Sequence, residues 1–152
     1  MKKFGIVIGV LVVLGIGYYL ISPVWRVVVL DEAAPVGVSP VPGSTGSVPA
    51  PAGKTGVFVQ AAHDVSGRAM IVKTAGGDVV RFEDFKTLNG PDLRIYLSAD
   101  REAKDFIDLG AIRATEGSVN YPIPAGTDLA KYRQVLVWCR AFSVLFGYAE
   151  LR

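Results

Sequence analysis

The chain has 152 residues, enough for one domain plus extras, and 51% of them are apolar, with a mean hydropathy of +0.38. Its formal charge is only +2, acids and bases interleave, and no basic run appears from Lys54 onward, which argues against a nucleic-acid partner. The single cysteine, Cys139, excludes an intramolecular disulfide.

Phe4 to Ser22 carries no charge and is about long enough to cross the hydrocarbon layer as a helix. Lys2 and Lys3 precede it, Tyr18 and Tyr19 lie near its far end, and Trp25 follows, giving a basic inner flank and an aromatic outer belt. The expectation is a single-pass signal anchor over residues 1–23, with a cytoplasmic N-terminus and everything after it periplasmic or extracellular. A cleavable signal peptide is the competitor. Against it, the apolar run is long and no small-x-small site follows closely; Ala50-Pro51-Ala52 lies too far downstream. No cysteine follows the run, so a lipoprotein anchor is excluded. Gly5 and Gly9 have the spacing at which two such helices pack, so a helix dimer is possible, although glycine is common in membrane helices.

Residues 24–55 read as a spacer. Val24 to Leu30 is strand-like or interfacial. Asp31 to Thr55 holds Pro35, Pro40, Pro42, Pro49 and Pro51 among Gly, Ser and Ala, a composition that buries no core and stays extended. As a coil it would hold the following domain about 25–30 Å from its exit point.

Residues 56–152 read as all-β: about eight strands forming an antiparallel sandwich or small barrel. Expected strands are Gly56 to Gln60, Arg68 to Thr74, Val79 to Phe82, Leu93 to Ser98, Phe106 to Ile112, Ser118 to Ile123, Gln134 to Arg140 and Ser143 to Leu151. Turn signals separate them, notably Ala75-Gly76-Gly77-Asp78 and Asn89-Gly90-Pro91-Asp92. Asp100 to Asp105 is expected to form a short helical turn. Alternation on the seventh strand puts Val135, Val137 and Cys139 on one face and Leu136, Trp138 and Arg140 on the other. Arg140 needs water or a partner, so the Val/Cys face is expected to be core. The last strand is apolar on both faces, as in a strand covered on two sides.

The succession F-x-x-x-x-H-D-x-S-G-R-A (Phe58 to Ala69), V-V-R-F-E-D-F (Val79 to Phe85), N-G-P-D-L-R-I-Y-L-S (Asn89 to Ser98), G-S-V-N-Y-P-I-P (Gly117 to Pro124) and V-L-V-W-C-R-A-F-S-V-L-F-G-Y-A-E-L (Val135 to Leu151) resembles the DM-thirteen domain. That module stands beside DOMON domains in Skeletor- and Knickkopf-like animal proteins and alone in bacterial membrane-anchored proteins. The resemblance covers nearly all of residues 56–152 and neither anchor nor spacer. It implies a β-sandwich and extracytoplasmic electron transfer to a redox partner, through a characteristic cysteine that is here Cys139. That cysteine would act as a bare thiol or through a bound group such as haem.

A lone cysteine can cycle between thiol and sulfenate or form a mixed disulfide, whereas burial among valines makes it inert packing. His63, the sole histidine, could pair with Cys139 or Met70 as a ligand; the competing reading is a loop histidine bonded to backbone. Trp138 and Arg140 could line a site. Blue copper needs two histidines with the cysteine, and tetrahedral zinc needs four ligands of types largely lacking here. No Walker loop, G-x-S-x-G or dinucleotide fingerprint is present, His63 and Asp64 do not form a dyad, and no turnover enzyme is expected. The alternative function is a tethered binding or adhesion domain in which Cys139 is purely structural.

Overall fold

The computed structural model describes residues 2–21, 26–35 and 53–152. The expectations resting on Ser22, Trp25 and Ala50 to Ala52, and on most of the proline-rich stretch, lie outside the described residues. The fold is mostly β, with one helix, α1 (Lys2–Ile21), and nine strands among the described residues. The side chains described in α1 are those of residues 7–15 and Gly17, which leaves Lys2, Lys3, Gly5, Tyr18 and Tyr19 aside. Val7, Ile8 and Val10 to Leu14 are all exposed, and nothing lies within 4 Å of a Cβ built on Gly9. Among the described residues no helix is long and apolar enough to cross a membrane. The stretch of α1 with described side chains is about 15 Å long, half the hydrocarbon thickness.

The strands are β1 (Val29–Asp31), β2 (Thr55–Gln60), β3 (Val65–Thr74), β4 (Gly77–Thr87), β5 (Leu93–Ser98), β6 (Phe106–Ala111), β7 (Glu116–Pro122), β8 (Gln134–Cys139) and β9 (Val144–Glu150). Rather than two separate sheets, they form one, ordered β1-β7-β4-β3-β2-β9-β8-β5-β6 and curled into a half-barrel. β2 is the corner. Its first half, Thr55 to Val57, pairs with β3, and its second half, Phe58 to Gln60, pairs with β9. The eight strands expected after residue 55 are present as β2–β9; β4 runs on from the expected end at Phe82 to Thr87, and the others differ by three residues at most at their ends. Asp100 to Asp105 is a run of bends rather than a helical turn. There the Asp100 carboxylate accepts from the amides of Glu102, Lys104 and Asp105, so a side chain, not an i−4 carbonyl ladder, holds the chain.

The ninth strand comes from the stretch read as spacer. β1 runs parallel to β7, with Val29 beside Glu116 and Asp31 beside Ser118, so the sheet is not wholly antiparallel. Val28 reaches Thr115 through backbone and hydroxyl bonds. The Glu32 carboxylate receives Arg113 in a fork (2.5 and 3.2 Å) and the Asn120 amide at 2.7 Å. Residues 26–35 are therefore part of the head. Proline and glycine composition pointed to an extended chain from Asp31 onward, while Val24 to Leu30 read as strand-like or interfacial. Leu30 packs against the core, and Glu32 adds a polar clamp on the Arg113 side chain and the Asn120 amide.

The core lies inside the curl. Phe58, Phe82, Phe85 and Tyr121 pack ring to ring at centroid distances of 4.9–5.2 Å. Phe82 and Phe85, three residues apart, would face opposite ways in a regular strand. A bulge between them, with Asp84 at φ 49° against Gly67 at φ 106° on β3, turns both inward. A Cβ on Gly67 would lie 2.7 Å from the Asp84 carbonyl oxygen, so only glycine fits. Burial pushes the Tyr121 hydroxyl up to about 12, although it accepts a bond from the Arg113 amide.

Candidate functional site

Strand directions place one set of connections together. β2, β4, β6 and β8 end at the rim where β1, β3, β5, β7 and β9 begin. That rim carries residues 61–64, 88–92, 112–115 and 140–143, along with Arg26 to Val28. Cys139 closes β8 there, and His63 stands in the first of these loops.

Val135, Val137 and Cys139 face the core as alternation predicts. Cys139 is 1% exposed, and its Sγ donates to the Pro91 carbonyl at 3.2 Å. The next residue, Arg140, turns outward and grips Asp92: Nε lies 2.6 Å from Oδ2, and the Arg140 amide donates to the Asp92 carbonyl. The Asp92 carboxylate raises the Arg140 guanidinium above its ordinary value. Asp92 has φ 59°, a left-handed conformation that Asp tolerates and most residues do not. Asn89 completes the turn, donating to the Arg26 carbonyl and accepting from the Gly90 amide. Residues 89–92 thus touch the segment leaving α1, the thiol and the guanidinium at once. The sequence announces this turn but says nothing of what it covers.

The other proposed site residues separate. His63 is exposed, its ring 4.0 Å from Phe146 and its amide bonded to the Phe146 carbonyl. Met70 lies on β3 between inward-facing Ala69 and Ile71, so alternation directs it away from the core that holds Cys139. Trp138 lies on the outer face of β8 with Tyr96, centroids 6.3 Å apart, and Tyr96 stacks on Phe106 at 4.1 Å. Burial, helped by Asp108, raises the Tyr96 hydroxyl above its ordinary value. Leu136 is buried on that same outer face, opposite Tyr96 and Tyr148. Sequence reasoning missed this cluster, because Arg140 suggested that the whole face met water.

These residues do not fit haem on Cys139. The sulfur is enclosed and already bonded to Pro91, and the two residues considered as its co-ligands point elsewhere. No group of three or more His, Cys, Asp or Glu able to hold a metal ion occurs among the described residues. A groove of about 520 Å³ opens at the rim between the chain leaving α1 and the head, lined by Arg26, Val27, Val65, Leu88 and Thr115 among others, and Cys139 is not part of its wall.

A curled all-β head with one enclosed thiol at its rim is the class of domain defined by these observations. Residues 57–151 match the family model described as electron transfer DM13, and the chain belongs to that family. No curated relative and no solved structure gives a significant match.

Proposed function

We propose that the head is an extracytoplasmic electron-transfer module, held at the membrane by α1, in which the Cys139 thiol is the exchanging group. The observation carrying this reading is that the electron-transfer family match spans the β8–β9 hairpin holding the only cysteine. Uncleaved, the apolar segment 4–22 with Lys2 and Lys3 before it would leave the N-terminus in the cytoplasm and the head outside. Gly5 and Gly9 offer a face for a second anchor.

The partner is a protein carrying a disulfide. The Cys139 sulfur gives its proton to water and bonds to one sulfur of that disulfide; the partner's S–S bond breaks and its other sulfur leaves as a thiolate. Among the described residues the thiol's hydrogen bond goes to the Pro91 carbonyl, and Arg140 is engaged by Asp92 on the other face. Access depends on residues 89–92, whose Pro91 carbonyl must release the sulfur.

In the test, the full chain in detergent is mixed with an aromatic disulfide and the products are read by mass. A mixed disulfide formed on the folded chain, and lost in Cys139→Ser, supports the reading; no adduct until the head unfolds contradicts it. The second reading, a binding or adhesion head with Cys139 as packing, draws on the 1% exposure of the residue and expects that latter result.

A further inference from the structure

Four residues separate Ile21, the end of α1, from Arg26, whose carbonyl is bonded to Asn89 on the head. A fully extended chain over that interval spans at most about 18 Å. The polar layer beyond the hydrocarbon is itself about 5–8 Å deep. The proline-rich stretch does not lengthen this link, because it lies after β1. Ala33 is held by Arg81 and Asn120, and Lys54 by Ile71 and Leu129, so both of its ends are fixed on the head.

We propose that the rim bearing residues 61–64, 88–92 and 140–143 rests on the lipid bilayer surface, an inference that rests on α1 being the membrane anchor. The short link leaves that rim as the part of the head nearest the bilayer. It also presents apolar side chains from three separate segments: Val27 (62% exposed), Leu88 (52%) and Phe142 (71%), the last in the turn between β8 and β9. An aromatic ring at a hairpin tip suits the headgroup boundary. At the opposite rim, the exposed large apolar side chain among the described residues is Phe106, at 40%, and its ring is stacked on Tyr96. Docked this way, the head holds the turn that covers Cys139 against the membrane, so the thiol is offered to partners embedded in or lying on the bilayer.

The test uses the full chain reconstituted in vesicles of phosphatidylcholine and phosphatidylglycerol. Nitroxide labels are attached singly through Val27→Cys, Leu88→Cys, Phe142→Cys and, at the opposite rim, Ala125→Cys; the unsubstituted chain gives the background from Cys139. Collision rates with a water-soluble nickel chelate and with oxygen are then read. The expected result is several-fold lower nickel access and higher oxygen access at positions 27, 88 and 142 than at 125. A chain retained by the bilayer after alkaline carbonate, with all four labels equally open to nickel, overturns this proposal and leaves the anchor standing. A chain stripped off by carbonate overturns both.

Discussion

Cys139 and Pro91, 48 positions apart, are joined by one hydrogen bond of 3.2 Å from the thiol to the carbonyl. That bond lasts only while the turn keeps its shape, and Asp92 sets the shape through its left-handed backbone and its ion pair with Arg140. Asp92→Ala removes an exposed ion pair and puts an alanine at positive φ, the latter at a cost of about 1 kcal/mol. Together these predict several-fold faster modification of Cys139 by a small thiol reagent under native conditions. Asp92→Asn, which tolerates the backbone, should rise less. Equal rates in all three proteins would show that the turn does not control access.

Gly117 lets β1 reach the sheet. Its φ is 113°, and a Cβ there would lie 2.3 Å from the Leu30 carbonyl oxygen. Gly117→Ala should therefore detach residues 26–35 as well as strain β7, at a cost of about 2–4 kcal/mol. Glu32→Ala, which removes only the clamp on Arg113 and Asn120, should cost about 1 kcal/mol. Hydrogen exchange resolves the two: the Asn120 amide loses protection in both variants, whereas the Ser118 amide, bonded to Asp31, loses it only in the first, where global stability also falls markedly.

The bend at 99–105 should be acid-sensitive. Backbone bonds to Asp100, the Lys104 amide first, lower its carboxyl below the ordinary 3.8. A depressed folded value means stabilisation present above the unfolded pKa and lost as pH falls through the folded one. The Lys104 and Asp105 amides should stay protected at neutral pH, begin to weaken below about pH 4 and open as pH falls through the lower folded value. Asp100→Asn should flatten that acid limb, and an unchanged limb would mean that another carboxylate is responsible.

Strand identities were legible where alternation and turn signals agreed, and β5 falls on the residues read for it. The core face of β8 was legible for the same reason, since Arg140 could not be buried unpaired. β1 was legible only in part: Val24 to Leu30 reads as strand-like or interfacial, but no local pattern says that Leu30 packs on the core or that Glu32 meets Arg113 and the Asn120 amide far along the chain. The inward pairing of Phe82 with Phe85 was hidden, since a bulge breaks the alternation on which sequence reading depends. At the site, Cys139 and the turn 89–92 were each visible. Their contact joins residues 48 apart, and no local pattern encodes it. His63 and Met70 attracted notice by residue type alone, and the fold sends them to different surfaces.

The central claim is that Cys139 exchanges from the folded head, through local opening of the residues over it. The direct measurement is its rate of reaction with an aromatic disulfide, taken in increasing urea well below the unfolding transition. Local opening exposes little surface, so the account predicts a rate nearly independent of urea in that range. A rate that climbs with the full slope of global unfolding would show that the thiol reacts only when the domain comes apart, and that Cys139 is packing.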